Sequence, residues 1–335
     1  MFRGIQYSIL VLLLLCVSCV KQQQSSTTNS QLSTFSADSA YTYIAQQLAF
    51  GPRVPGTEAH EACGDWLVSE LARHGAQVKS QYGTMTNYAG KPQDIRNIVA
   101  IFEGNTPHAI LLCAHWDCRP WSDEEERYED RFEPVMGAND GASGVGVILE
   151  MVRHLAVRKS KGEFVPTVQV VFFDCEDMGT PAHFTGTQRD HTWCLGSQYW
   201  AQEYKQSNVE CRMSGVKCQY GILLDMVGDP SATFLREYFS MQYAGSYVER
   251  LWREASKLGY GRYFVQQTTY YPITDDHYYV NTIAGIPCVD VIDYKMNTET
   301  GFAHWWHTQH DDIQNINKQT LQAVGETVLT TICSR

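Results

Sequence analysis

Hydrophobic positions along the chain alternate between helical and strand-like spacing from residue 40 onward. Apolar side chains recur at helical spacing in 40–50, 58–74, 143–157 and 318–332, which predicts four amphipathic helices. Short, mostly apolar runs separate them and predict buried strands at 95–102, 109–114, 168–173, 221–226 and 287–292. This alternation predicts a single α/β domain with an open, twisted, mostly parallel central sheet and helices on both faces.

The N-terminal segment has the pattern of an export signal. Arg3 precedes an apolar run over residues 9–17, which is too short to span a bilayer, and Cys19 follows a small residue. The pattern resembles a bacterial lipoprotein signal, although an ordinary secretory signal cut near the same place is the alternative. We therefore expect an export signal at 1–19 with lipid attachment at Cys19, a Gln/Ser/Thr-rich tether at 20–38 and a catalytic domain at 39–335. The expected location is the periplasm, with any membrane contact made through the N-terminal lipid.

Composition excludes two classes of protein. The 335 residues are 44% hydrophobic and 12% aromatic, which is too rich for a disordered chain. The net charge is −11, and no basic stripe is present to neutralise phosphates, so a nucleic-acid partner is not expected. Among the 11 cysteines, those in predicted strands should be buried thiols, whereas Cys211 and Cys218 flank a turn and could form a local disulfide.

Polar residues that can bind a metal follow the ends of the predicted strands. They are His115 and Asp117, Asp140 before a helix, Asp174 with Glu176 and Asp177, Asp225, and His307 near the C-terminus. The carboxyl ends of strands are where sites assemble in open α/β sheets. So many carboxylates would repel one another without a cation, and mixed His and carboxylate ligation suits zinc.

The acidic stretch 123–130 is interpreted as a solvated loop without a role.

The order of these motifs resembles the zinc exopeptidases of the aminopeptidase type. Residues 50–57 resemble the entry motif of that family, and 115–117, 139–141 and 172–177 resemble its successive metal-site motifs. Three further segments are similar to the glutaminyl-peptide cyclotransferases (glutaminyl cyclases) of the bacterial, animal-like type; they are residues 224–230, 275–277 and 306–308. The resemblance extends from about Gln47 to the C-terminus.

The resemblance implies a role for each matching residue. Asp140, Asp177 and His307 would bind one zinc ion per chain, with Asp177 in a position where the family usually has Glu. Glu176 would transfer the proton, and Asp225 and Asp275 would be the paired acids that hold the reacting nitrogen. The substrate pocket would be lined by Trp306, Phe302, Ile273 and Trp193.

The implied reaction closes an N-terminal glutaminyl residue of a peptide or protein to pyroglutamyl and releases ammonia. Zinc would polarise the γ-carbonyl, and Glu176 would carry a proton from the α-amine to the leaving nitrogen. A two-zinc aminopeptidase is one alternative, because His115 and Asp225 could hold a second metal. The other alternative is an inactive exopeptidase fold retained as a binding domain.

Overall fold

The computed structural model describes Met1, residues 35–206 and residues 217–334. The export signal, Cys19 and most of the tether lie outside the described residues, as does Cys211, so the Cys211–Cys218 pairing stays a prediction. Within the described part of the chain, no helix is long and apolar enough to cross a membrane.

A six-stranded sheet forms the centre of the domain. Its strands are β1 (Gln77–Thr86), β2 (Pro92–Phe102), β3 (Ala109–His115), β4 (Thr167–Phe173), β5 (Cys218–Asp225) and β8 (Cys288–Ile292), and their order across the sheet is β1-β2-β4-β3-β5-β8. The four strands β4, β3, β5 and β8 are parallel, whereas β2 is antiparallel to both of its neighbours. A separate parallel pair is formed by β6 (Phe234–Arg236) and β7 (Phe264–Thr268). The predicted mostly parallel α/β sheet is confirmed.

Helices cover both faces of this sheet. They are α1 (Ala37–Leu48), α2 (Glu58–Arg73), α3 (Ala142–Ser160), α4 (Leu195–Gln206), α5 (Tyr238–Lys257), the short α6 (Asp276–Tyr279) and α7 (Lys318–Cys333). Successive side chains of a strand point to opposite faces, so Leu112 enters the larger core whereas Leu111 enters the core beneath α4. This explains why the central strands are apolar throughout rather than alternating.

The ordered domain begins slightly earlier than residue 39. Phe35 is buried and packs against Gly325, and the Ser36 hydroxyl caps α1 by accepting a hydrogen bond from Ser39 N at 3.2 Å. The predicted tether, 20–38, therefore extends too far at its C-terminal end. Strand β1, which the pattern did not predict, is an edge strand. None of its positions is buried, so it lacks the apolar run that marks the central strands.

Candidate active site

The carboxyl ends of the parallel strands meet at one cavity of about 760 Å³. Asp225 ends β5, residues 174–177 follow β4, and Asp140 lies just before α3, where Gly141 adopts a φ of 82° that favours glycine. All ten predicted site residues line this cavity; they are Asp140, Glu176, Asp177, Trp193, Asp225, Ile273, Asp275, Phe302, Trp306 and His307. The structure therefore brings together residues that lie up to 167 positions apart, from Asp140 to His307.

The three predicted metal ligands converge on one point. His307 Nε2 lies 3.1 Å from Asp177 Oδ1 and 3.5 Å from Asp140 Oδ2, and all three residues are buried. The second oxygen of Asp177 has no hydrogen-bond partner in the described chain although it is buried. One imidazole and two carboxylates form a donor set that suits zinc, and an unpartnered buried oxygen is expected where a cation binds. The residues present therefore fit the metal.

A second donor group shares Asp140 with the first. His115 Nε2 lies 2.9 Å from the other oxygen of Asp140, Oδ1, and 3.3 Å from Asp225 Oδ1. Asp140 thus faces His307 with one oxygen and His115 with the other, which is the arrangement of a carboxylate that bridges two metals. Each of the two groups offers three donor atoms that lie within 4.8 Å of one another. The geometry alone therefore accommodates one or two metal ions.

Two buried acids, Asp311 and Asp117, hold backbone amides around the metal ligands. Asp311 accepts hydrogen bonds from Asn139 N at 2.8 Å and Asp140 N at 3.0 Å. Asp117 accepts from Glu176 N at 3.1 Å and from Asp177 N at 3.2 Å. Such partners orient metal ligands. Asp117 lay in a recognised motif, but no feature of the sequence pointed to Asp311.

Asp123 corrects the interpretation of 123–130 as a solvated loop. Its side chain is buried, binds the guanidinium of Arg119 at 2.9 and 2.5 Å, and lies 3.7 Å from His307 Nδ1. Arg119 also donates to the carbonyl oxygen of Asp177 at 2.8 Å. The prediction was wrong for this residue because Arg119, four positions earlier, neutralises its charge and allows burial. The exposed acids of the stretch, such as Glu126 and Glu129, agree with it.

Burial and mutual repulsion raise the pKa of two acids of the cavity, whereas hydrogen bonds to histidines lower the pKa of a third. Burial and the charge of Asp177 raise the pKa of Glu176 well above its usual range. Burial, with the charges of Asp140 and Asp275, raises the pKa of Asp225 to about 8. Burial alone would also raise the pKa of Asp140, but hydrogen bonds to His115 and His307 outweigh it and keep that pKa below its usual value. The site therefore contains both a carboxylate that stays ionised and acids that hold protons more readily.

Aromatic rings wall the cavity beside the metal ligands. Trp306 stacks on His307 with ring centroids 3.6 Å apart, and Phe302 lies 4.7 Å from Trp306. Trp193 lies parallel to the His307 ring at a centroid distance of 6.0 Å, and the Arg119 guanidinium lies 4.5 Å from the centre of the Trp193 ring. The neighbouring Trp305 is buried and does not line this cavity.

Comparisons with known proteins place the chain in one family. The family model described as Peptidase family M28 matches residues 97–332. The structure of Tannerella forsythia glutaminyl cyclase is 46% identical, with a TM-score of 0.83 over 90% of this chain and 99% of that one. A Zn-dependent exopeptidase from Parabacteroides distasonis is 45% identical, with a TM-score of 0.83 over 91% of this chain and 100% of that one.

A curated relative is more distant. Aminopeptidase YwaD of Bacillus subtilis is 26% identical over 258 residues, or 76% of this chain, and the chain spans about half of that relative, 47% of its length. The resemblance expected from the motifs is thus confirmed by similarity over nearly the whole domain. The chain belongs to peptidase family M28, and within that family it is related to the bacterial glutaminyl cyclases.

Proposed function

We propose that the protein is a zinc-dependent glutaminyl-peptide cyclotransferase that converts N-terminal glutaminyl residues of peptides and proteins to pyroglutamyl with release of ammonia. The observation that carries this proposal is the aromatic wall of Trp306, Phe302 and Trp193 around His307, in the same cavity as the partly buried Glu176. Cyclisation needs a folded-back side chain and no attacking water, so a pocket with an aromatic wall suits it.

The residues of the chain divide the work of this reaction. The aromatic wall packs the aliphatic part of the glutaminyl side chain and brings its γ-carbonyl within reach of its own α-amine. Glu176 accepts a proton from the attacking amine and returns it to the departing nitrogen, for which its raised pKa is suited. Asp225 and Asp275 accept hydrogen bonds from the nitrogen that leaves. When bound by Asp140, Asp177 and His307, zinc supplies a Lewis acid for the γ-carbonyl oxygen.

We further propose one zinc ion per chain. Cyclisation requires no activated water, so a second metal would add nothing and would compete with the α-amine. His115 and Asp225 would then hydrogen-bond to each other, consistent with their 3.3 Å separation. Elemental analysis after dialysis against metal-free buffer should give one zinc per chain, and His115→Ala should retain it. Two zinc ions, with activity following the second, would contradict this proposal.

The second candidate function is a two-zinc aminopeptidase, which the His115–Asp140–Asp225 group favours. Mass spectrometry of a Gln-initiated peptide separates the two functions, because cyclisation removes ammonia whereas hydrolysis removes a residue. The same peptide with N-terminal Leu is the control. We expect loss of ammonia from the first peptide and no change in the second. Release of free amino acids from both would support the aminopeptidase, and binding without turnover would support an inactive domain.

For the N-terminal segment, we propose export to the periplasm with a lipid on Cys19. Fatty-acid labelling of the full chain should disappear in Cys19→Ala. Persistence of the label in that variant, or its absence from the unmodified chain, would favour an ordinary secretory signal.

A further inference from the structure

A completely buried histidine lies behind the cavity. His277, in α6, is 0% exposed; its Nε2 is 2.9 Å from Glu237 Oε2, and its Nδ1 faces Asp290 Oδ2 at 3.4 Å. Within the described residues, neither this Nδ1 nor either oxygen of Asp290 has a hydrogen-bond partner. A single proton shared between His277 Nδ1 and Asp290 Oδ2 would satisfy both of these atoms.

Glu237 connects this histidine to the substrate loop. One of its oxygens, Oε1, accepts hydrogen bonds from Phe239 N at 2.9 Å and from Ile273 N at 3.2 Å. The other oxygen accepts from Ser240 N at 2.6 Å and from His277 Nε2 at 2.9 Å. One buried carboxylate therefore caps the beginning of α5 and also holds the segment 273–277 at both of its ends.

Asp275 lies between these two anchors. Its Oδ1 accepts a hydrogen bond from Asp276 N at 2.5 Å, whereas its Oδ2 has no partner in the described chain and Asp275 lines the cavity. Donor atoms of Asp275, His277 and Asp290 all lie within 4.8 Å of one another. Loss of the hydrogen bond between His277 and Glu237 would therefore free the segment 273–277 at its C-terminal end, beside Asp275.

We propose that His277 is a positioning residue which, with Glu237 and Asp290, holds Asp275 and Ile273 in the geometry that the reaction requires. The inference rests on the proposed cyclotransferase function, in which Asp275 contacts the leaving nitrogen. His277 itself does not touch the substrate, because it is 0% exposed and does not line the cavity. Its influence passes through the placement of Asp275.

A double-mutant cycle between His277→Gln and Asp275→Asn tests this proposal. Misplacing a reacting group by about 1 Å costs about 10²-fold in rate, so His277→Gln alone should lower kcat/KM by an amount on that order, mainly in kcat. In the Asp275→Asn background the same change should cost no more than about twofold, because its effect passes through the residue already altered. A merely structural role would give the same loss in both backgrounds. Additive losses would overturn the proposal.

Controls separate this outcome from loss of metal or of folding. His74→Gln removes another histidine, whose Nε2 is 2.9 Å from the Tyr43 hydroxyl away from the cavity, and should leave the kinetics unchanged. Zinc content should match the unmodified protein in every variant. Loss of one metal equivalent in His277→Gln would overturn the proposal, because His277 would then be a ligand. If His277→Gln does not fold, Asp290→Asn replaces it in the cycle; it keeps the size of the side chain.

A crystal structure of zinc-loaded His277→Gln, or of Asp290→Asn in its place, tests the inference without reference to activity. The carboxylate of Asp275 should shift relative to its position in the unmodified protein. If the unmodified protein releases no ammonia from Gln-initiated peptides, the proposed function fails, but the position of Asp275 still decides whether His277 places it. An unmoved Asp275 would overturn the positioning role.

Discussion

Replacement of Glu176 by Gln is the most direct test of the proposed proton transfer. The change keeps the size of the side chain and one oxygen, so the hydrogen bond that Glu176 Oε1 accepts from Cys194 Sγ at 3.0 Å can persist. The hydrogen bond from Glu176 N to Asp117 at 3.1 Å involves only the backbone and is unaffected. The variant should therefore fold and retain zinc, while it loses the group that accepts and returns the proton.

The expected loss follows from the value of positioned acid–base catalysis. It is about 10²–10⁴-fold in kcat, equivalent to about 3–5 kcal/mol of transition-state free energy. KM should change little, because the aromatic wall that binds the side chain is intact. The assay is ammonia release from a Gln-initiated peptide, with zinc measured on the same preparation.

Glu299→Gln is the matched control for this variant. Glu299 lines the same cavity but is exposed at its rim, so the same chemical change there should leave kcat within about twofold. Near-normal turnover in Glu176→Gln would refute the proton-transfer role. Loss of zinc from that variant would show instead that Glu176 is a ligand.

Three residues around the metal ligands, Asp311, Trp306 and Arg119, can be tested by substitution. Asp311→Ala should lower zinc affinity by about 10–100-fold, because Asn139 N and Asp140 N lose their acceptor; titration against a competing chelator measures it. Trp306→Ala should raise KM by about 10–100-fold through lost ring contact and apolar burial, and an unchanged KM would contradict the pocket assignment. Arg119→Met should reduce the free energy of unfolding by about 3–5 kcal/mol, because the buried Asp123 is left unpaired. Thermal unfolding should show partial recovery in Arg119→Met/Asp123→Asn, and absence of recovery would refute that cause.

Some of the polar residues of the site could be found from sequence because of where parallel strands end. His115 and Asp225 are the last residues of β3 and β5, and Glu176 follows β4 by three positions. Parallel strands bring their carboxyl ends to one edge, so residues distant in the chain meet there once the strands are identified. The pocket residues Phe302 and Ile273 lie on irregular segments, and only the family resemblance indicated them.

The residues that hold the site in place could not be predicted in this way. Asp311 binds the Asp140 amide across 171 positions, and Glu237 binds His277 across 40. Neither contact follows from periodicity or local spacing, because the loops that carry these acids have no regular geometry. For the same reason the burial of Asp123 was missed, since the next acid on the chain, Glu124, is exposed, whereas Asp123 pairs with Arg119 and lies near His307.

The sequence by itself determined the α/β class, the apolar central strands and the set of chemical groups at the strand ends, because the spacing of apolar residues and the polar residues that follow each apolar run can be read directly along the chain. Only the tertiary structure decided which of those groups contact one another. It turned Asp140 toward both His307 and His115, stacked Trp306 on the ligand ring, and enclosed Glu237 with His277 behind the cavity. These arrangements depend on the approach of distant loops, which packing sets and local pattern does not encode.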